Sequence, residues 1–239
     1  LPIDFPSRSR FSVPILCYHA LHASGPDYCD NDHVALSEDL QVIRRSGYRI
    51  LALSDLVDAL RHPDDGKGLR QGRFVCLTFD DGPNVDYFDY ADPVVGLAKS
   101  FHRILVEFRV AHPEAIVDLD KPLAVSFLIA SEEARTTLDR SCIAGRGDWS
   151  SCWWRACAAG GVIALGNHSW DHVHVSLPVV AQRTQRKGSF HAIDNDADAS
   201  VQVAQAREYI ESVLGMPCAR YFAYPYGHAS KYLVHTYFP

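Results

Sequence analysis

Short apolar runs alternate along this chain with longer stretches in which apolar residues recur every three or four positions. The runs Val13–Tyr18, Arg49–Leu53, Phe74–Phe79, Leu123–Ile129, Val162–Leu165 and Tyr221–Tyr224 read as strands. Helical stretches fall between most of them. Val94, Leu97, Ala98, Phe101, Ile104, Leu105 and Phe108 follow Asp92-Pro93 at helical spacing. That pattern predicts a helix with Asp92 as N-cap, Pro93 in the first turn and the apolar positions facing the core. A second helix is predicted from near Ala199 to Leu214, closed by Gly215 and Pro217. Strands alternating with helices predict an α/β fold with a mainly parallel sheet, and right-handed crossovers would curl that sheet towards a barrel. Arg61 to Arg73 reads as a polar loop, and Val179 to Ala199, with Arg183, Arg186 and Lys187, as a surface loop at the lip of a cleft. No internal repeat or linker divides the chain, so residues 1–239 read as a single domain.

Three segments carry candidate chemistry. In Leu77-Thr78-Phe79-Asp80-Asp81-Gly82-Pro83 two adjacent carboxylates follow an apolar strand and precede a Gly-Pro turn. The C-terminal end of a strand is where α/β enzymes keep their reactive groups. Like charges side by side are costly in a half-dry cleft unless a metal or a shared proton compensates them. The second segment, Asn167-His168-Ser169-Trp170-Asp171-His172, follows the strand-like run Gly161–Gly166. Two histidines four apart share one face if the segment is helical and can then reach one ion. The third is Arg220-Tyr221-Phe222-Ala223-Tyr224-Pro225-Tyr226-Gly227, an aromatic run ending in a Pro-Tyr-Gly turn. Taken singly, each also has a plainer reading: solvated acids at a strand end, a histidine pair bound to nothing, a packed aromatic strand. An acidic phosphatase loop of the haloacid dehalogenase kind needs Asp-x-Asp, whereas these carboxylates are adjacent.

In this order the three segments resemble the motifs of the polysaccharide deacetylases of carbohydrate esterase family four, the NodB-homology group. The resemblance runs from about residue 11 to the end of the chain. It implies a deformed (β/α) barrel and a metal-dependent hydrolase that removes N-acetyl groups from an N-acetylated glycan. Carried over residue by residue, it implies Asp80 as general base, with Asp81, His168 and His172 as metal ligands. The Tyr226 N–H would stabilise the oxyanion, and Trp170, Pro225 and Tyr226 would contact substrate. Val13-Pro14-Ile15-Leu16-Cys17-Tyr18-His19, with Ser37 to Leu60 after it, resembles the opening of the circularly permuted branch that includes poly-N-acetylglucosamine deacetylases. That branch implies His19 as the general acid. One divalent ion is implied; zinc suits an Asp-His-His set best, and cobalt or nickel also fit. By analogy the resemblance implies a cell-envelope or secreted location, while the residues themselves leave the compartment undecided and a cytoplasmic one open. Three departures stand out. Ala223 occupies the position where the family often has the base-orienting Arg, and Arg220 is out of register. The connection Asn84 to Lys121 is long and reads as carrying an inserted helix. The chain stops at Pro239, before further strands of the family's barrel, so the barrel reads as incomplete at its C-terminal end.

Composition narrows this picture without redirecting it. With 47% hydrophobic and 22% charged residues the chain is an ordinary globular protein long enough for one sizeable core. A net charge of −6 argues against a nucleic-acid partner. No run approaches ~20 uninterrupted apolar residues, so no membrane span is predicted. Leu1 to Pro6 does not read as a signal peptide and can be a mature end left after cleavage. There are seven cysteines and no Cys-x-x-Cys pair. Cys17 and Cys76 read as small core residues, and Cys142, Cys152 and Cys157 as disulfide candidates. Trp153 and Trp154 read as packing, His174 as a neighbour of the ligands, and His102, His112 and His191 as carrying no signal. Asp171 either orients a ligand or is an exposed acid. Two further functions stay open: a cyclic amide or ureide hydrolase on the same fold, and a non-catalytic glycan-binding remnant.

Overall fold

The strand that carries the paired carboxylates lies inside the sheet. In the computed structural model, which describes residues 12–20, 23–62, 69, 72–142, 147–180 and 187–239, strand β3 (Phe74–Asp80) is buried along nearly its whole length. That follows from its continuous apolar run, the pattern of a parallel strand covered on both faces. β1 (Ile15–His19) pairs parallel to it from Ile15 opposite Cys76 to His19 opposite Asp80. β2 (Arg49–Ile50) pairs with Phe74 and Val75. β6 (Ala124–Leu128) runs parallel to β3, and β7 (Ile163–Asn167) parallel to β6. The register brings His19, Asp80 and Asn167 to the same end of the sheet, the carboxyl end, where α/β folds leave a crevice.

Helices α1 (Asp32–Arg45), α2 (Leu53–Arg61), α3 (Phe101–Ala111), α4 (Glu132–Cys142), α5 (Trp154–Gly160), α6 (Asp196–Ala199) and α7 (Ala206–Leu214) connect or follow the strands. The largest core cluster joins the sheet to α1, α3, α5 and α7 through Leu36, Leu40, Phe79, Phe101, Leu105, Trp153, Trp154 and Ile210. Both tryptophans are fully buried, as packing residues should be.

Several expectations are corrected. The region after Asp92 is not helical until Phe101. β4 (Tyr90–Asp92) and β5 (Gly96–Ala98) form an antiparallel hairpin, and the Asp92 carboxylate accepts the N–H groups of Val94 and Val95. An Asp-Pro pair serves a tight turn as readily as a helix start, and here Gly96 at φ 81 completes the turn. Val94 and Leu97 are consequently exposed, and the helix starts with Ser100 as its N-cap. Phe101, Ile104, Leu105 and Phe108 do face the core. Tyr221–Tyr224 makes a single bridge, Asn167 to Phe222, rather than a strand. Among the described residues the parallel sheet has five strands, with β1, β3, β6 and β7 in that order and β2 paired to β3, an α/β arrangement as expected.

The stretch Val179 to Ala199 is more than a surface loop. Phe190 and Ile193 are fully buried and pack with Val173, Leu177 and Trp149 in a second core cluster. Lys187 donates to the carbonyl of Pro178 at 2.8 Å. Arg183 and Arg186, most of the loop before Arg73, and Leu1 to Pro6 lie outside the described residues. All seven cysteines are free, so the Cys142, Cys152 and Cys157 pairing does not form. Cys76 is buried as expected, but Cys17 is exposed, in the wall of the cleft described below. No helix among the described residues is long and apolar enough to cross a membrane.

His33 on α1 ties this core to pH. Its ring stacks on Phe101 at 4.0 Å, its Nε2 lies 3.1 Å from the Val85 carbonyl, and its Nδ1 lies 3.3 Å from the Tyr90 hydroxyl. A neutral ring donating to Val85 and accepting from Tyr90 satisfies both contacts. Burial drives its pKa from 6.5 down to about 4. Since the unfolded chain binds this proton more readily, stability is full above about pH 6.5 and declines as pH falls towards 4. The loss from this group approaches roughly 3 kcal/mol at the acid end. Urea unfolding of the wild type and His33→Gln at neutral and mildly acidic pH checks this. The wild type should lose markedly more stability on acidification than the variant, and equal losses would refute it.

Candidate metal centre and its cleft

The turn after β3 aims its carboxylates by an unusual backbone. Asp81 and Gly82 have φ of 75 and 72, in the left-handed region. A Cβ on Gly82 would lie 2.4 Å from Leu128 Cδ2, so glycine is required both for conformation and for space. The Trp149 indole N–H donates to the Asp81 carbonyl at 3.1 Å and holds the turn from the other side. Among the described residues, the positive-φ residues other than glycine are Asp81, Ser169, His172, Val173 and Tyr226. All lie in the loops of this one site. Such concentrated backbone strain is typical of functional loops.

The two histidines are not on a helix, so a shared helical face is not what brings them together. The segment after β7 is a series of side-chain-capped turns. Asn167 Oδ1 accepts the Ser169 N–H, Ser169 Oγ the His172 N–H and Asp171 Oδ1 the Val173 N–H, each at 2.9 Å. Ser, Asn and Asp favour such local bonds over helix. The Gln202 amide then locks the loop, its Oε1 accepting the Trp170 N–H at 3.2 Å and its Nε2 donating to Asp171 Oδ1 at 2.9 Å. Gln202 sits in a π-helical stretch, Ser200–Gln205, between α6 and α7. Asn167 Nδ2 donates to the Val203 carbonyl in the same stretch. Asp171 is therefore buried and shapes the ligand loop; it is not an exposed acid.

These turns bring both imidazoles to Asp81. Its Oδ1 lies 3.5 Å from His168 Nε2 and 3.6 Å from His172 Nε2. Among the described residues Asp81, His168 and His172 form one of two clusters able to hold a metal ion. Asp80 Oδ2 lies 4.0 Å from His168 Nε2 and 3.7 Å from His19 Nε2. The donor set fits a divalent cation. His168 Nδ1 lies 3.0 Å from the Ala223 carbonyl, which can only accept, so Nδ1 carries a proton and Nε2 is the nitrogen that can offer a lone pair. Burial holds the His172 pKa well below its usual value, with His168, His174 and His19 adding to the effect, so this ring is neutral as a ligand must be. Burial raises the Asp81 pKa, opposed by His168 and His19. A carboxylate buried this deeply needs a positive charge beside it to stay ionised.

These groups open into a cavity of about 700 Å³. His19, Asp80, Asp81, His168, His172 and Tyr226 line it, with His174, Cys17 and Cys142. The Tyr226 ring meets His172 edge-on at 4.4 Å. From there a strip of rings leaves the cavity, Tyr226 to His228 at 5.5 Å and His228 to His191 at 4.5 Å. Two expected substrate contacts are displaced. Trp170 packs edge-on against Tyr209 on α7, away from this cavity, and Pro225 is buried beneath the Tyr226 turn. Arg220 lines a separate groove with Arg207 and Phe238. Among the described residues no arginine pairs with Asp80; its recorded ion-pair partners are His19 and His168. Trp149, Gln202 and the Ala223 carbonyl hold the loops and rings of this site in place, a role the sequence pattern did not assign to them.

A model of the polysaccharide deacetylase family matches residues 124–237, a span that includes His168, His172 and Tyr226 but not His19, Asp80 or Asp81. No curated protein sequence matches the chain. Among solved structures, IcaB from Ammonifex degensii aligns at TM-score 0.56 and 22% identity, over 93% of this chain and 77% of that one. The Streptococcus pyogenes deacetylase PplD, solved with acetate, aligns at 0.54 and 18%, over 93% and 77%. BA0330 of Bacillus anthracis, described as a polysaccharide deacetylase, aligns at 0.53 and 17%. There the match covers 93% of this chain but 53% of that one, so the chain spans about half of that protein's length. At these identities the structural likeness establishes the fold: an α/β fold with a parallel sheet, shared with NodB-type deacetylases.

Proposed function

We propose that this chain, which a model of the polysaccharide deacetylase family matches over residues 124–237, hydrolyses N-acetyl groups on an N-acetylated glycan with the help of one divalent cation. The observation that carries this reading is the convergence of Asp80, Asp81, His19, His168 and His172 on one cavity. Asp81, His168 and His172 would hold the ion, for which zinc is the best chemical match and cobalt or nickel alternatives. When bound, such an ion supplies Lewis acidity toward an acetamide carbonyl and makes a water molecule more acidic.

The remaining steps belong to this chain's own side chains. Asp80 is the group to take the proton from water; it is less buried than Asp81 and stands beside the ligand set. The Tyr226 N–H would donate to the oxygen on which negative charge develops. His19, across Asp80 from His168, would protonate the departing amine, restoring the proton balance. The exposed Tyr226 ring in the cavity wall supports a sugar substrate, because a flat ring can present a face to sugar C–H groups.

The test is direct. The zinc-loaded chain is incubated with oligomers of N-acetylglucosamine, and released acetate and new free amines are measured together. Equal amounts of both are expected. A loaded chain that binds the oligomers without releasing acetate would overturn the hydrolase reading in favour of a glycan-binding role. Turnover of cyclic ureides with no turnover of oligomers would replace the substrate class.

A further inference from the structure

The second cluster able to hold a metal is formed by Cys17, His19 and Asp80. It arises from strand geometry. Cys17 and His19 are two apart on β1, so their side chains project from the same face of the sheet. Asp80 is the direct partner of His19 on β3, and Cys17 is opposite Thr78. Sulfur, imidazole nitrogen and carboxylate oxygen then lie within 4.8 Å of one another. His19 Nε2 and Asp80 Oδ2 are 3.7 Å apart. All three residues line the same cavity as the first cluster, and the Cys17 thiol is open to it.

We propose that this trio is a second, inhibitory site for a soft divalent cation such as zinc, occupied after the Asp81, His168 and His172 centre. The inhibitory consequence rests on the catalytic reading given above; the binding itself does not. A tetrahedral ion needs three such ligands and one water. The thiolate distinguishes the two sites: the first offers only nitrogen and oxygen, while sulfur selects for zinc over hard ions such as magnesium. On binding, the Cys17 thiol gives up its proton to solvent and its sulfur joins the ion. The ion then occupies the lone pair of His19 and the carboxylate of Asp80, the proposed acid and base. Excess zinc therefore switches the enzyme off by taking both proton-transfer groups.

Cobalt is the probe, because its thiolate complexes absorb in the near ultraviolet and its imidazole-carboxylate complexes do not. Metal-free chain is titrated with cobalt while bound metal and absorption are followed. The first equivalent should bind without a thiolate band and the second should bring one. Cys17→Ser should keep the first equivalent and lose both the second and the band. The triple variant Cys29→Ser, Cys142→Ser, Cys152→Ser removes the other exposed thiols and should keep the band. A second equivalent without a thiolate band, or a band that survives in Cys17→Ser, overturns the proposal. Failure of the first equivalent to bind would instead overturn the metal centre described earlier, so the two failures are distinguishable.

Discussion

Asp80→Asn should lower turnover of an N-acetylated oligosaccharide by about 10²–10⁴-fold, the usual contribution of a positioned general base. The substitution keeps size and hydrogen-bonding reach but removes the ability to accept a proton. Bound metal should stay near one ion per chain, since Asp81, His168 and His172 are the proposed ligands and Asp80 Oδ2 lies 4.0 Å from the nearest ligand nitrogen. KM should change less than kcat, because the loss falls on the proton transfer rather than on binding. Kinetics and metal analysis on the same preparation decide the matter. Undiminished turnover would refute Asp80 as base. Loss of the ion together with turnover would make Asp80 a ligand instead.

The second large effect is expected from His168→Ala. Removing one of three protein ligands should weaken zinc binding by at least about a hundredfold, because even changes in groups that merely orient ligands cost tenfold to a hundredfold. The variant also leaves the Ala223 carbonyl without the ring N–H that it accepts at 3.0 Å. A thermal readout separates loss of the site from loss of the fold. Zinc at about a hundred times its dissociation constant stabilises a chain that binds only when folded by ~2.7 kcal/mol. In a Cys17→Ser background, which lacks the second site proposed above, the parent should therefore melt at higher temperature with zinc added, and adding His168→Ala should remove most of that gain. A variant that still gains stability from zinc and still carries one ion would remove His168 from the centre.

Much of this centre was legible in the order of residues. A continuous apolar run before Asp80 and Asp81 reads as a buried parallel strand, and in such folds reactive groups collect at strand ends. The pair of histidines after β7 obeys the same rule. Fold class and strand ends needed no more than local periodicity, whereas the grouping of Asp81 with His168 and His172 came from the resemblance of the three motifs to a known family. The spacing of His168 and His172 would place both on one face of a helix, but the segment is not helical. Capped turns through Asn167, Ser169 and Asp171 deliver both rings to one carboxylate as a helical face would have done.

Ambiguity of local pattern accounts for the Asp92 error. Asp-Pro suits a turn and a helix start alike, and only Gly96 and the hairpin pairing decide between them. The tertiary structure alone decided the rest, because the deciding contacts join residues far apart in sequence. Trp149 reaches the Asp81 carbonyl across 68 positions, and His168 is oriented by a carbonyl 55 positions away. No periodicity reports such distances. Cys17 reads as a core residue from its strand, yet β1 pairs with β3 in a register that turns it into the cavity beside His19 and Asp80. Trp170 sits within the ligand motif, yet the fold of the loop turns its ring towards Tyr209. By itself the sequence determined that carboxylates and imidazoles stand at strand ends, where groups of that chemistry collect in such folds. Which neighbours orient, shield or compete with them was settled by packing between distant segments, where register and loop path decide which way each side chain faces.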